Sequence, residues 1–233
     1  MREIIFDTET TGLDPRAGHR LVEIGCIELI DRRESGRTFH AYFHPERDMP
    51  AEAEAVHGLS IQFLSDKPLF ATRVDDLIEF LGDAPLVAHN AAFDFGFVNA
   101  ELARAGRGAL DMARMCCTVQ MARKLHPGAK HSLDALCTRY GIDRSHRVKH
   151  GALLDAELLA HLYIEMTGGR QIGLGLAATG TNAASPATPG LAAPRGIDRP
   201  FREPRPHMAS AAELARHAEF VAGLNQPLWL DTV

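Results

Sequence analysis

Short apolar runs alternate with longer segments of helical periodicity over residues 1–168. Apolar residues dominate residues 3–7 and 85–88, as expected for short strands buried on both faces. Two further strands are predicted at residues 20–30 and 37–43, which are bounded by turn residues. Because the connections between the first three strands are short, we expect an antiparallel meander, with parallel strands added after helices.

Helical spacing of apolar residues predicts helices at residues 71–81 and 152–166. Asn90 and Ser132 are good N-cap residues, and each precedes a further helical segment. Strands that alternate with helices in this order indicate an α/β domain with a mixed sheet. We assign this domain to residues 1–168.

The composition changes after the first domain. Ala, Gly, Pro, Ser and Thr dominate residues 177–194, so residues 169–207 are predicted to form a flexible linker. Residues 208–233 begin with a capping-box pattern at Ser210 and Glu213, followed by apolar residues at helical spacing. A single amphipathic helix has no core of its own, so we expect it to dock on a partner or fold back on the main domain.

The overall composition is that of a globular protein, with 45% hydrophobic and 24% charged residues in a chain of 233. No apolar run approaches the roughly 20 residues of a membrane-spanning helix, and no membrane association is expected. Asp7, a candidate catalytic residue, already lies where a signal peptide would be. No signal peptide is therefore expected. The four cysteines show no metal or disulfide spacing, which favours a reduced, cytoplasmic location.

The net charge of −5 argues against a protein that coats nucleic acid without specificity. The charge is unevenly distributed, since residues 114–150 hold eight Lys and Arg against only Asp134 and Asp143. This basic stretch either faces phosphate groups or forms a solvated helical face, and the sequence leaves both interpretations open. Because the charge of the whole chain is too weak to attract nucleic acid strongly, we expect DNA to be delivered by a partner protein.

Asp7 and Glu9 lie two residues apart at the end of the first predicted strand. Because side chains alternate along a strand, both carboxylates point to one face and Thr8 points to the other. Gly12 follows, where the chain can turn sharply and a ligand can approach the backbone. Taken alone, this pair would be explained as a solvated strand end.

Asp94 falls in the first turn of the helix predicted after Asn90, where the helix dipole stabilises a carboxylate. Phe93 and Phe95 flank it, however, and apolar surroundings are an unfavourable place for a charge without a function. The sequence therefore marks Asp94 as a second candidate for chemistry.

His150 and Asp155 are five residues apart, a spacing that places them on different sides of one helix. Gly151 resolves this, because His150 can precede the helix on a loop while Asp155 points inward from the second turn. Leucines surround Asp155 in the sequence, so a purely solvated role is unattractive.

These acids are candidates for one anionic pocket. Two carboxylates about 4 Å apart repel each other by about 4 kcal/mol at an effective dielectric of about 20. A fold retains four of them together only if cations fill the pocket, and divalent ions suit all-oxygen ligands best. Two metal ions about 4 Å apart catalyse in-line phosphodiester hydrolysis, which is the chemistry we predict.

Three motifs in this order resemble the DEDDh exonucleases, the DnaQ-like branch of the ribonuclease H-like fold. The matches are Asp-Thr-Glu-Thr-Thr-Gly-Leu at 7–13, His-Asn-Ala-Ala-Phe-Asp-Phe-Gly-Phe at 89–97 and His-x4-Asp at 150–155. Val-His-Gly-Leu at 56–59 resembles the family's connecting element near the substrate. Within the family, the sequence is most similar to the epsilon proofreading subunits of bacterial DNA polymerase III. The resemblance implies a ribonuclease H-like mixed five-stranded sheet flanked by helices.

The resemblance implies a 3′–5′ exonuclease that removes mismatched 3′-terminal nucleotides from DNA and releases nucleoside 5′-monophosphates. His150 would be the general base, beside two Mg²⁺ or Mn²⁺ ions. The implied metal ligands are Asp7, Glu9, Asp94 and Asp155. The residues implied to bind the terminal nucleotide are Thr10, Gly12, Leu13, His57 and Phe93.

The carboxyl-terminal region fits the tethering role that the resemblance implies. Gln171, Leu174 and Leu176 match the Gln-x-x-Leu-x-Leu peptide with which bacterial proteins bind the sliding clamp. The resemblance also implies that the segment from Ser210 to Trp229 binds the alpha subunit of DNA polymerase III, at the replisome in the bacterial cytoplasm.

Two alternatives remain at this point. One is a stand-alone DEDDh exoribonuclease or single-strand exonuclease, for which a long linker and a docking helix have no obvious use. The other is a noncatalytic adaptor between clamp and polymerase, against which the presence of all five chemical residues argues.

Overall fold

The computed structural model describes residues 1–145, 149–168 and 208–224, which belong to two compact units divided between residues 177 and 178. The strands of the first unit are β1 Arg2–Thr10, β2 Leu21–Ile30, β3 Arg33–Tyr42, β4 Leu86–Ala88 and β5 Met115–Cys117. Its helices are α1 Ala51–His57, α2 Ile61–Leu64, α3 Phe70–Leu81, α4 Ala91–Arg104, α5 Thr118–Leu125, α6 Leu133–Tyr140 and α7 Ala152–Met166. The described part of the second unit contains α8 Ala211–Ala222. None of the described helices is long and apolar enough to cross a membrane.

The five strands form one mixed sheet in the order β3-β2-β1-β4-β5. β1, β2 and β3 are antiparallel neighbours, while β4 pairs parallel to β1 and β5 pairs parallel to β4. This confirms the predicted meander followed by parallel strands. Parallel neighbours end at the same edge of the sheet, so residues that follow β1 and β4 are brought together there.

The hairpin between β2 and β3 begins the third strand earlier than predicted. β3 starts at Arg33, not at residue 37, because Asp31 and Arg32 form the turn with φ angles of 50° and 60°. Two consecutive positive φ angles are characteristic of the tight turn that matches strand twist. Neither residue is glycine or asparagine, so the sequence lacked the usual signal.

Helices cover both faces of the sheet, which explains the continuous apolar run in β1. Ile4 and Phe6 pack in one core with residues of α3 and α4, such as Val74 and Phe95. The intervening residue, Ile5, packs in the opposite core with α6 and α7. Each such buried side chain contributes about 1.5–3 kcal/mol through removal of apolar surface from water.

The predicted helix boundaries are largely confirmed, with one exception in capping. Ser132 caps α6 by accepting a hydrogen bond from the Ala135 N–H. Asn90 precedes α4 but makes no side-chain cap bond, because its backbone is left-handed with φ 66°. Asn90 therefore occupies the predicted N-cap position without supplying a side-chain cap bond. Its tolerance of the left-handed backbone conformation is the physical reason for asparagine here.

α8 carries the predicted capping box, in which Ser210 accepts from the Glu213 N–H and the Glu213 carboxylate accepts from the Ser210 N–H. Leu214 and Phe220 are exposed on this helix. The whole predicted linker, residues 169–207, lies outside the described residues, and with it the peptide of Gln171, Leu174 and Leu176. Trp229 also lies outside them.

Candidate active site

Asp7 and Glu9 lie at the carboxyl end of β1, where the alternation of side chains separates them from Thr8. The Thr8 hydroxyl donates a hydrogen bond of 2.7 Å to Oδ1 of Asp94. Thr8 therefore links β1 to the first turn of α4, which follows the parallel neighbour β4. Through this contact, the two parts of the chain that carry the acids meet at one edge of the sheet.

The amino terminus of α7 lies directly against the sheet at Gly25. Gly25 is the cross-strand partner of Asp7. A Cβ at Gly25 would fall well inside van der Waals distance of the Leu153 backbone N and Cα. Only glycine lets the first turn of α7 approach this closely, and the approach brings buried Asp155 to the side of the sheet that carries Asp7.

The position of Asp155 differs in detail from the sequence prediction. It lies in the first turn of α7, not in the second, because the helix begins at Ala152. Its side chain is buried at 3% exposure. The negative charge thus also benefits from the positive end of the helix dipole.

His150 precedes α7 on a loop, as predicted, with Gly151 between them. Its Nδ1 lies 3.1 Å from Oδ2 of Asp155. Possible ligand atoms of Glu9, His150 and Asp155 all lie within 4.8 Å of one another. The loop, the strand and the helix therefore present their functional groups to the same small volume.

Burial and neighbouring negative charges disfavour the ionised forms of two acids in this cluster. Burial raises the pKa of Asp7 well above its ordinary value, and the charges of Asp94, Glu9, Asp155 and Glu23 raise it further. Burial also raises the pKa of Asp94 to about 7, although the hydrogen bond from Thr8 opposes the shift. Oxygen-rich clusters of this kind suit hard divalent cations, so the residues present fit the metal chemistry predicted from sequence.

These pKa shifts predict how stability depends on pH. Between about 4 and about 7, folded Asp94 holds a proton that the unfolded chain has lost, so metal-free protein loses stability as the pH rises through this range. A divalent cation bound at this cluster would displace that proton. We expect Mg²⁺ to raise the melting temperature more at pH 8 than at pH 5, as measured by thermal unfolding with Mg²⁺ or chelator. An equal effect of Mg²⁺ at both pH values would contradict the assignment.

The cluster opens into a cavity of about 300 Å³. This volume is at the lower end of the range for small-molecule sites. The cavity is lined by Asp7, Thr8, Glu9, His89, Phe93, Asp94, Ser132, Leu133, Asp134, His150 and Asp155. All four predicted metal ligands, the predicted base and one predicted substrate residue, Phe93, are thus in one lining.

The other predicted substrate residues lie outside that lining. The Thr10 hydroxyl donates a 2.6 Å hydrogen bond to the Gly12 carbonyl, and Leu13 is 85% exposed. The ring of His19 fills the space that a side chain at Gly12 would need. Gly12 is therefore explained by the packing of His19, and its predicted contact with the nucleotide stays a prediction.

His57 is buried at the end of α1. Its Nδ1 accepts a 3.0 Å hydrogen bond from the Leu59 N–H. Its Nε2 faces the Thr10 backbone without reaching hydrogen-bond geometry with any described group. Burial lowers the pKa of this imidazole, which favours its neutral form.

Sequence reasoning did not single out His89 or the start of α6 as parts of the cavity. Nδ1 of His89 lies 2.9 Å from the Thr118 hydroxyl, and burial lowers its pKa. Asp134 pairs with Arg144 at 3.1 Å, so one cation of the basic stretch lies next to the lining. The only sequence signal for His89 was its place at the head of the second motif.

The chain has recognisable relatives among known proteins. Residues 4–163 match the model of an exonuclease family. The chain is 55% identical to DNA polymerase III subunit epsilon of Rickettsia felis over 174 residues, which cover 73% of this chain and 76% of the relative. It is 46% identical to DNA polymerase III subunit epsilon of Escherichia coli K12 over 176 residues, 72% of either chain.

Solved structures show the same fold. Exonuclease X in complex with 5′-overhanging duplex DNA is 28% identical, with a TM-score of 0.55 and coverage of 70% of this chain and 90% of that chain. The nuclease domain of 3′hExo, a DEDDh family member bound to rAMP, is 18% identical with a TM-score of 0.62, covering 71% and 91%. Because the exonuclease model spans residues 4–163 and the relatives are 46% and 55% identical, the chain belongs to the exonuclease family and, within it, to the epsilon subunits of bacterial DNA polymerase III.

Proposed function

We propose that the cavity between β1, α4 and α7 is where this exonuclease hydrolyses the terminal phosphodiester of a DNA 3′ end. The chain is a 3′–5′ proofreading exonuclease of the epsilon family. The observation that carries the assignment of the site is the common lining shared by His150 and the acids from three separate motifs. The product would be a nucleoside 5′-monophosphate.

Asp7, Glu9, Asp94 and Asp155 are proposed to hold two divalent cations, Mg²⁺ or Mn²⁺. When bound, such ions supply activation of a water nucleophile and neutralisation of charge on the phosphate and the leaving 3′-oxygen. The protein's own contribution is a rigid arrangement, because Asp94 is fixed by Thr8 and Asp155 by the packing of α7 on Gly25. Preorganised acids lose little entropy when the ions bind.

His150 is proposed as the general base. When its Nδ1 donates to Asp155, the lone pair on Nε2 is the one that can take a proton from a water molecule. The side chain is 47% exposed, so the accepted proton can pass to solvent.

The size of the cavity supports a site for one terminal nucleotide. Phe93 in the lining offers an aromatic surface for the base or sugar. Leu13, exposed beyond the end of β1, and Thr10, Gly12 and His57 are proposed to contact the same nucleotide. A mismatched end separates from its template at lower cost than a paired end, which explains selection without sequence reading.

The partners are proposed from the relatives and from the tail. Proteins named DNA polymerase III subunit epsilon act in bacterial replication, so we propose a cytoplasmic location at the replisome. Exposed Leu214 and Phe220 give α8 an apolar surface suited to docking on the polymerase alpha subunit. The peptide of Gln171, Leu174 and Leu176 is proposed to bind the sliding clamp.

A variant of the proposed base tests the assignment. His150→Asn should lower kcat on a 3′-mismatched DNA primer with Mg²⁺ by about 10²–10⁴-fold, because proton transfer from water loses its acceptor. KM for the primer should change little. The matched control is His161→Asn, which alters a half-exposed histidine on α7 that pairs with Glu34 at 2.9 Å.

The control should stay within about twofold of the wild-type rate, since an exposed ion pair contributes little. If His150→Asn also kept its rate, the base would have to be another group.

Copurification of the full chain with the polymerase alpha subunit, lost on deletion of residues 205–233, would support the docking assignment.

A further inference from the structure

The loop that carries His150 rests on the end of α1. Gly58 follows α1 in the left-handed conformation, with φ 77°. A Cβ at Gly58 would lie 2.7 Å from Cδ and 3.0 Å from Nζ of Lys149. The lysine side chain therefore occupies the space that any other residue at position 58 would fill.

A backbone contact accompanies this packing. The His150 N–H points to the Val56 carbonyl, with an N to O distance of 3.4 Å. The end of α1 thus touches the loop twice in succession, through the side chain of Lys149 and the amide of His150. A bond of this length is weak, so the side-chain contact carries much of the positioning.

The end of α1 is itself held firmly. His57 is buried at 5% exposure, and its Nδ1 is engaged by the Leu59 N–H. Its ring lies against the Thr10 backbone, next to the metal-ligand candidate Glu9. The turn at Val56–Gly58 therefore joins the end of β1 to the loop of His150.

We propose that Gly58 and Lys149 are positioning residues for His150, and that the methylene stem of Lys149, seated on Gly58, fixes the loop. The inference rests on the proposed role of His150 as the base. A lysine stem packs readily on a flat backbone surface, and at Gly58 both Cδ and Nζ of Lys149 lie over the backbone. Displacement of a reacting group by about 1 Å can cost about 10²-fold in rate, so even a modest loop shift is measurable.

The competing explanation for Lys149 is a direct contact between its ammonium and a substrate phosphate. One pair of variants distinguishes the two explanations. Lys149→Ala removes both stem and charge, whereas Lys149→Met keeps an unbranched stem and removes the charge alone. If packing of the Lys149 stem on Gly58 matters, Lys149→Met should retain activity. If a phosphate contact matters, Lys149→Met should lose activity as Lys149→Ala does.

The second pair of variants tests the role of Gly58, on which the Lys149 side chain packs. Gly58→Ala places a methyl group where the Lys149 stem lies. It also strains the backbone by about 1 kcal/mol because φ is positive. The matched control is Gly106→Ala, with φ 69° and no atom within 4 Å of the added methyl, which imposes the same strain away from the loop.

On a mismatched primer with Mg²⁺, Lys149→Ala and Gly58→Ala should each lower kcat about tenfold with KM nearly unchanged. Lys149→Met and Gly106→Ala should stay within about twofold. Hydrogen exchange supplies a readout independent of activity. Amides at positions 149–151 of the full chain should exchange faster in the first two variants and at the wild-type rate in the other two.

A raised KM in both lysine variants would overturn the proposal in favour of phosphate binding. Unchanged exchange at 149–151 in Lys149→Ala and Gly58→Ala would overturn it as well. Failure of the base assignment can be distinguished from failure of this proposal. In that case His150→Asn would retain activity, while Lys149→Ala and Gly58→Ala would still exchange faster at residues 149–151.

Discussion

Asp7→Asn is expected to lower the rate of 3′-end hydrolysis by at least about 10³-fold while raising the melting temperature of the metal-free protein. A loss of 10³ corresponds to about 4 kcal/mol of transition-state stabilisation, a reasonable share for one ligand of a metal cluster. The stability gain arises because burial and four neighbouring acids raise the pKa of Asp7, and an amide removes that repulsion. Opposite effects on rate and stability are typical of a functional charge.

The sign of the stability effect depends on pH. A raised folded-state pKa means that metal-free protein loses stability as the pH climbs from about 4 through the raised value. The gain from Asp7→Asn should therefore be largest near pH 8 and small near pH 4. The measurements are initial rates on a mismatched primer with Mg²⁺ and thermal unfolding in chelator.

Asp83→Asn is a suitable control, because Asp83 is exposed and outside the cavity lining. It should change neither the rate nor the melting temperature appreciably. Should Asp7→Asn lose stability in chelator, or keep its rate within tenfold, the picture of a repulsive cluster relieved by cations would be wrong.

Gly25→Ala is expected to cost about 10²-fold in kcat. The added methyl group would overlap backbone atoms of Leu153 and Ala152, which cannot move aside as a flexible side chain would. The amino terminus of α7 must then lift off the sheet, and Asp155 moves away from Asp7. Overpacking of this kind costs about 1–3 kcal/mol of folding stability, so most of the chain should still be folded at 25 °C.

Rates at saturating Mg²⁺ and primer, together with thermal unfolding, check this prediction. Gly108→Ala is the matched control, because a methyl group there meets no atom within 4 Å and φ is not positive. The control should behave as wild type. If Gly25→Ala lost stability but retained its rate, α7 would not be the element that sets the position of Asp155.

Local patterns in the sequence were sufficient to predict those parts of the site that depend on a single strand or helix. The two-residue spacing of Asp7 and Glu9 gives their common face from strand geometry alone. Gly151 explains how His150 leaves the helix that carries Asp155. The fold class followed from the order of strands and helices, and the resemblance of three motifs supplied the number of strands.

Contacts between distant segments were not predictable in this way. Nothing adjacent to Gly25 indicates that Leu153 will pack against it, and nothing near Gly58 indicates Lys149. α1, α2, α5 and β5 are short elements whose stability depends on tertiary packing, so periodicity gave little signal for them. His89 entered the cavity through the arrangement of β4 beside β1, which is a property of the whole sheet.

A Mn²⁺ titration of wild-type protein and Asp7→Asn near pH 8, with bound ions counted by electron paramagnetic resonance, tests directly whether the acidic cluster holds two metal ions. A two-metal site should bind two saturable Mn²⁺ ions for each wild-type chain, with binding weakened by at least about tenfold in the variant. Absence of saturable Mn²⁺ binding in the wild type, or identical isotherms for both proteins, would contradict it.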